Sequence, residues 1–304
     1  MSYGRVMSSD YSALSLYVPA VFRPASLTMG DYNKDRADDL VILGTGSYGK
    51  AGLSGRAVYV SGGRGGWADR YEISGGGPVG ASGDVNKDGY TDLVVGSPTE
   101  RDSAGNPSGA GVIYVHFGGP GGPGSPAGGS NRQFWTQNSP GVPGINRVGD
   151  RFGGAVTVGD INGDGYGDVA IGAPGNDMGT ALDAGTVWVM RGSATGLTTN
   201  GIRTLSQSPR AVPGTPGKAD QFGGALRLID ADRNFRAGLI ASAPGEDTND
   251  GRVWVFPAPA PASPPTAHGP STAARSGPHR RRPFRGDARP SWPLRATDEM
   301  ELLG

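Results

Sequence analysis

The chain has 304 residues, with 28 Lys and Arg against 28 Asp and Glu. That zero net charge removes the electrostatic basis for a nucleic-acid partner or for attraction to an acidic membrane. The absence of cysteine excludes disulfides, thiolate-held zinc and thiol chemistry, and no stretch approaches the roughly 18 apolar residues of a membrane-spanning helix.

Fifty-five glycines and 25 prolines without a period of three point to many tight turns between short strands. Residues 1–10 are expected to be disordered. Ala13 to Phe22 is apolar like the core of a secretory signal, but it contains Pro19 and has only Arg5 as a basic start, so it is read as a strand. Beyond it an acidic nonapeptide recurs four times, at intervals of 53, 76 and 70 residues, each time between two short apolar runs. The first copy begins at Asp31, the second at Asp84, the third at Asp160 and the fourth at Asp230. The third is flanked by Phe152-Gly-Gly-Ala-Val-Thr-Val-Gly159 and Val169-Ala-Ile-Gly-Ala-Pro174, short Gly-bounded runs rich in β-branched residues that read as two strands of a hairpin.

A third strand follows each hairpin: Gly55 to Ser61, Gly111 to Phe117, Gly185 to Met190 and Gly251 to Phe256. A fourth, more polar strand follows in three units, near Asp69 to Ser74, Asn131 to Gln137 and Ile202 to Ser206. Four strands per unit make the blade of a β-propeller. The fold class is therefore all-β, a β-propeller over residues 11–257 with repeats at roughly 22–74, 75–137, 150–206 and 220–257. Either it closes as four blades, with Tyr11 to Val18 completing the last, or it is an arc of a larger ring. An open arc would leave unpaired edges. Residues 258–304, rich in Pro, Ala, Ser and Arg, have no apolar periodicity and are expected to be disordered. The abrupt end of the repeat pattern at Pro257 fits a truncation or a shifted reading frame.

Within each nonapeptide, oxygen-bearing side chains occupy positions 1, 3, 5 and 9. These are Asp31, Asn33, Asp35 and Asp39; Asp84, Asn86, Asp88 and Asp92; and Asp160, Asn162, Asp164 and Asp168. At position 7, Ala37, Tyr90 and Tyr166 can offer a backbone carbonyl. Three carboxylates and an amide suit calcium, which takes six to eight oxygen ligands at about 2.3–2.6 Å. The fourth copy has Asp230, Asp232 and Asn234 but Gly238 at position 9, so weak or no binding is expected there. An EF-hand would need Glu at position 12, where Ile42, Val95 and Ile171 stand instead. Ordinary Asx-type turns use the same residues and remain an alternative. At position 6, Gly89 and Gly165 suit a left-handed turn, whereas Arg36 and Phe235 would cost about 1 kcal/mol there. The expected ranking places the third and second loops ahead of the first, and the fourth last.

Phe152-Gly153 and Gly172-Ala173-Pro174 around the third loop, with Phe222-Gly223 and Ser242-Ala243-Pro244 around the fourth, resemble the FG-GAP repeat of integrin α-subunit propellers and their bacterial relatives. The second copy keeps Gly96-Ser97-Pro98 but has Val79-Gly80 for the aromatic start, and the first keeps only Gly44-Thr45-Gly46. The resemblance implies calcium in the hairpin loops, adhesion or recognition of a protein or glycan, and an extracellular or cell-surface location. FG-GAP repeats also occur fused to lipases and other hydrolases, so an accessory propeller of a secreted hydrolase or phospholipase is the alternative.

No catalytic residue is expected. Of three histidines, His268 and His279 lie in the tail and His116 is expected to pack on a strand. Glu246 and Asp247 are read as a solvated loop. Trp67 and Trp135 are candidates for a recognition rim or for packing between blades. Arg280-Arg-Arg282 and Arg285-Gly286-Asp287 are short matches expected by chance in such a tail.

Overall fold

The apolar runs that bracket each acidic loop pair as an antiparallel hairpin, and each hairpin grows into a meander sheet. The structure is a computed structural model that describes residues 22–259 apart from 48–52, 64–66, 68–69, 101–108, 126–131 and 208–211. Tyr11 to Val18, the strand expected over Ala13 to Phe22 save its last residue, residues 1–10, and the tail from 260 onward lie outside the described residues.

The first sheet comprises β1 (Phe22–Gly30), β2 (Asp39–Ser47), β3 (Leu53–Val60) and β4 (Arg70–Ile73). The second holds β5 (Val79–Gly83), β6 (Asp92–Ser97), β7 (Val112–His116) and β8 (Arg132–Trp135). In the third are β9 (Ala155–Gly159), β10 (Asp168–Ala173), β11 (Thr186–Arg191) and β12 (Thr198–Leu205), and in the fourth β13 (Leu226–Ile229), β14 (Gly238–Ala243) and β15 (Arg252–Phe256). Strands neighbour one another in chain order within every sheet, the blade arrangement expected from the repeat. Loop register is the same in all four: Gly30 pairs with Asp39, Gly83 with Asp92, Gly159 with Asp168 and Ile229 with Gly238, so position 9 is the first residue of the second strand.

Blades stack face to face, β1 on β5, β5 on β9 and β9 on β13. Alternate side chains of a strand point to opposite faces, so each inner blade needs apolar residues on both. Consequently β6 and β10 are buried at all six positions, while β14 is buried only at every second one. The face of each blade turned to the next contains Ala57 and Tyr59, Ile113 and Val115, or Val187 and Val189, all buried. Their counterparts in the fourth blade, Val253 and Val255, are 60% and 71% exposed. At the opposite end of the stack Leu27 and Met29 of β1 are exposed as well. Among the described residues β1 and β13 make no contact comparable to the three blade junctions.

The aromatic and glycine motifs have a direct packing role. Phe152 and Phe222 are fully buried and stand edge-on to Trp188 and Trp254, with centroids 5.3 and 5.2 Å apart. Each indole N–H in turn donates to a proline carbonyl, Pro143 at 2.8 Å and Pro213 at 3.0 Å. A Cβ on Gly172 would fall 2.1 Å from the carbonyl oxygen of Gly223 in the next blade, and one on Gly96 equally close to that of Gly153. Glycine is required there because two backbones meet.

Candidate metal centre

Within the first three loops the side chains of positions 1, 3 and 5 are turned inward by the loop's own amides. Asp31, Asp84 and Asp160 each accept the N–H of position 6, at 3.1, 2.8 and 2.7 Å. Asn33, Asn86 and Asn162 accept the N–H of position 5 at 2.9 to 3.1 Å. Asp35, Asp88 and Asp164 accept the N–H of position 7 at 2.8 to 2.9 Å, two of those donors being Tyr90 and Tyr166. These are Asx-type turns repeated within one loop.

Position 9 is built differently. Asp39, Asp92 and Asp168 are fully buried. One oxygen of each accepts the N–H of position 2, from Tyr32, Val85 or Ile161, at 2.7 to 3.1 Å. The other accepts an amide just past the third strand, from Gly62, Gly118 or Gly192, at 2.8 to 3.0 Å. Burial raises all three carboxyls above their ordinary range, Asp92 to about 7. Among the described residues Asp168 alone of the three has a cationic partner, Arg191 at 2.6 Å, which opposes the rise. Near Asp39 the Tyr59 hydroxyl plays a milder part as hydrogen-bond donor. The second and third loops, ranked together ahead of the first from sequence, thus differ at position 9: Asp168 is paired with Arg191, and Asp92 with two main-chain amides.

Carboxylate, amide and main-chain carbonyl oxygens are the donor types that a hard cation such as calcium takes. Each Asp92 oxygen accepts one main-chain N–H and keeps a lone pair for a hard cation, whereas Asp168 Oδ2 already accepts from both the Ile161 N–H and Arg191. Among the described residues no three Asp, Glu or His side chains are gathered tightly enough to hold a metal alone. Amide, backbone and water oxygens would have to complete the shell.

The fourth loop keeps the turn without the ninth carboxylate. Asp230 still accepts the N–H groups of Asn234 and Phe235, at 3.0 and 2.9 Å. Left-handed backbone occurs at position 6 in all four, with φ of 70° at Arg36, 81° at Gly89, 86° at Gly165 and 63° at Phe235. Position 4 is left-handed too, at Lys34, Lys87, Gly163 and Arg233. That second special position escaped the sequence reading because lysine carries no turn signal.

The loops are also joined to one another. The N–H of position 8 donates to the position 1 carbonyl of the preceding loop, Thr91 to Asp31, Gly167 to Asp84 and Ala237 to Asp160, at 3.2, 2.7 and 2.6 Å.

His116 is 1% exposed and its Nε2 donates to the Gly75 carbonyl at 2.9 Å. Desolvation lowers it to about 4, so it is a neutral packing residue. Trp135 packs against the core, and the exposed aromatic beside it is Phe134. Glu246 departs from its solvated-loop reading: it is buried, whereas Asp247 is largely exposed. Arg280 to Arg282 and Arg285 to Asp287 lie outside the described residues.

The FG-GAP repeat family model matches residues 76–116 and 152–190, the second and third blades, so the chain carries FG-GAP repeats. Human integrin alpha-6 is 36% identical over 153 residues, covering 50% of this chain and 11% of that protein. Integrin alpha-PS2 of Drosophila melanogaster is 32% identical over 241 residues, 76% of this chain and 16% of that protein. Mouse phosphatidylinositol-glycan-specific phospholipase D is 32% identical over 190 residues, 58% of this chain and 19% of that protein. The chain thus spans under a fifth of the length of these relatives.

Proposed function

We propose that the chain is a non-enzymatic, calcium-stabilised propeller segment that recognises a protein or glycan, outside the cell or at its surface. The observation that carries the calcium reading is the shared construction of three adjacent loops, each with a buried ninth carboxylate backed by two amides. Calcium would be held by Asp31, Asn33, Asp35 and Asp39; Asp84, Asn86, Asp88, Tyr90 and Asp92; and Asp160, Asn162, Asp164, Tyr166 and Asp168. It would supply charge neutralisation and cross-linking of the hairpin tip, with no water to activate. Similarity to integrin alpha subunits supports surface recognition. Titration calorimetry with calcium tests the reading: three sites are expected, and Asp92→Asn should remove one. Absence of any binding heat and of retained calcium would refute it.

A second reading is favoured by the similarity to phospholipase D. The chain would then be the accessory propeller of a secreted hydrolase whose catalytic groups lie outside it. Hydrolase assays on the purified chain should be silent, and turnover abolished by Glu246→Gln would instead place chemistry in the chain itself.

A further inference from the structure

In the third and fourth blades the aromatic residue of the third strand, Trp188 or Trp254, is capped by the same tripeptide from the connection that precedes the blade. Val142-Pro143-Gly144 and Val212-Pro213-Gly214 each bury their valine in the cluster that holds the indole, and their proline carbonyls accept the indole N–H. Phe152 and Phe222 stand edge-on to the same two rings. Tyr114 holds the corresponding place in the second blade, because it pairs with Val95 as Trp188 pairs with Ile171 and Trp254 with Ala241.

Neither covering group is present at Tyr114. The connection before the second blade, Ser74 to Pro78, has five residues, against 19 before the third blade and 20 before the fourth, and it contains no Val-Pro-Gly. It also contains no ring. A Cβ on Gly55 would fall 2.0 Å from the Gly76 carbonyl oxygen, the approach that Gly111 makes to Phe152 at 2.1 Å and Gly185 to Phe222 at 2.2 Å. Gly76, rather than Val79, therefore stands in the place of the two phenylalanines.

Beside Tyr114 lies an open cavity of about 470 Å³, within the size range of ligand sites. Phe134, which is 66% exposed, and Val148, which is 84% exposed, line it with Tyr114, and Glu100, Thr136 and Arg147 add polar groups. Tyr114 and Phe134 are directly paired across β7 and β8, so their rings form one apolar surface. The phenolic O–H is a hydrogen-bond donor, as an indole N–H is.

We propose that this cavity is a socket for a turn of a partner protein in which an aliphatic residue precedes proline, the chemistry with which the chain closes the corresponding place in its next two blades. The inference rests on the recognition reading above and commits it to a protein ligand at this site. The aliphatic side chain packs on the Tyr114 and Phe134 rings, and the proline carbonyl accepts from the Tyr114 hydroxyl. Proline has its φ already fixed, so the turn loses little freedom on docking.

The probe is a fluorescein-labelled peptide with the sequence of residues 138–147, titrated with the full chain and followed by fluorescence anisotropy, with a glycan array probed in parallel. Saturable binding is expected. It should weaken by about tenfold or more with Phe134→Ala or Val148→Asp in the chain, both at exposed positions, and with Val142→Asp in the peptide. No saturable binding, or binding that neither chain variant weakens, would overturn the socket. Glycan binding beside a silent peptide would overturn it while leaving surface recognition standing, whereas silence in both arms would tell against recognition itself.

Discussion

The Lys87 ammonium lies 2.6 Å from the main-chain carbonyl oxygen of Asp164 in the next loop and 5.3 Å from the ring centroid of Tyr166. Lys34 repeats this relation, donating to the Asp88 carbonyl with its ammonium 4.1 Å from the Tyr90 centroid. At the third junction the arrangement inverts: Gly163 stands at position 4, and the Arg236 side chain from the fourth loop lies across it. Together with the position 8 to position 1 backbone bonds, these contacts make the loops a connected row along the stack.

Lys87→Met should therefore loosen the second and third loops together. The lost charge-assisted hydrogen bond and cation–π contact predict a stability loss of about 1 kcal/mol, measured by urea unfolding. Lys34→Met should act equally on the first and second loops, and in combination with Lys87→Met the effects should fall short of additivity because the second loop is shared.

The blade faces give a matched pair of variants. Val187 is fully buried against the fourth blade and Val253, its counterpart, is 60% exposed. Val187→Ala should cost about 2 kcal/mol and Val253→Ala no more than about 0.5 kcal/mol by chemical unfolding. Equal losses would show that the Val253 face is covered in solution.

Much of this architecture was legible in the sequence. Hairpin flanks, third strands and the fourth strands of three blades fall where β-branched periodicity places them, and the 1-3-5-9 register identified the loop side chains. Sequence could not reveal what depends on the neighbouring blade. Lys34 and Lys87 look like solvated turn residues until Tyr90 and Tyr166 are brought beside them. Likewise Glu246 reads as a loop carboxylate because its partner Gln207 comes from another segment. Arg191 sits at a strand end with no local signal for its contact with Asp168.

Gly172→Ala tests the motif's packing role. Its Cβ would meet backbone, the Gly223 carbonyl, with no flexible side chain to yield. A loss of roughly 2 kcal/mol or more is expected, read as a lowered unfolding midpoint.

Asp92 supplies the pH dependence. Its carboxyl, raised to about 7 by burial, takes up a proton on folding between the ordinary carboxylate value and neutrality. In chelator its contribution to stability should accordingly be largest in acid and decline as pH rises toward 7. Asp92→Asn should flatten that decline, and an unchanged slope in unfolding free energy against pH would argue against the buried carboxyl.

Thermal unfolding of the purified chain with millimolar calcium and with chelator, alongside native mass spectrometry, tests the calcium reading most directly. Sites of about 10⁻⁴ to 10⁻³ M would each add about 0.5–1.5 kcal/mol. Three of them predict a rise in Tm on the order of 5–15 °C, with three calcium ions retained and one lost in Asp92→Asn. An unchanged Tm together with no bound calcium would contradict the account.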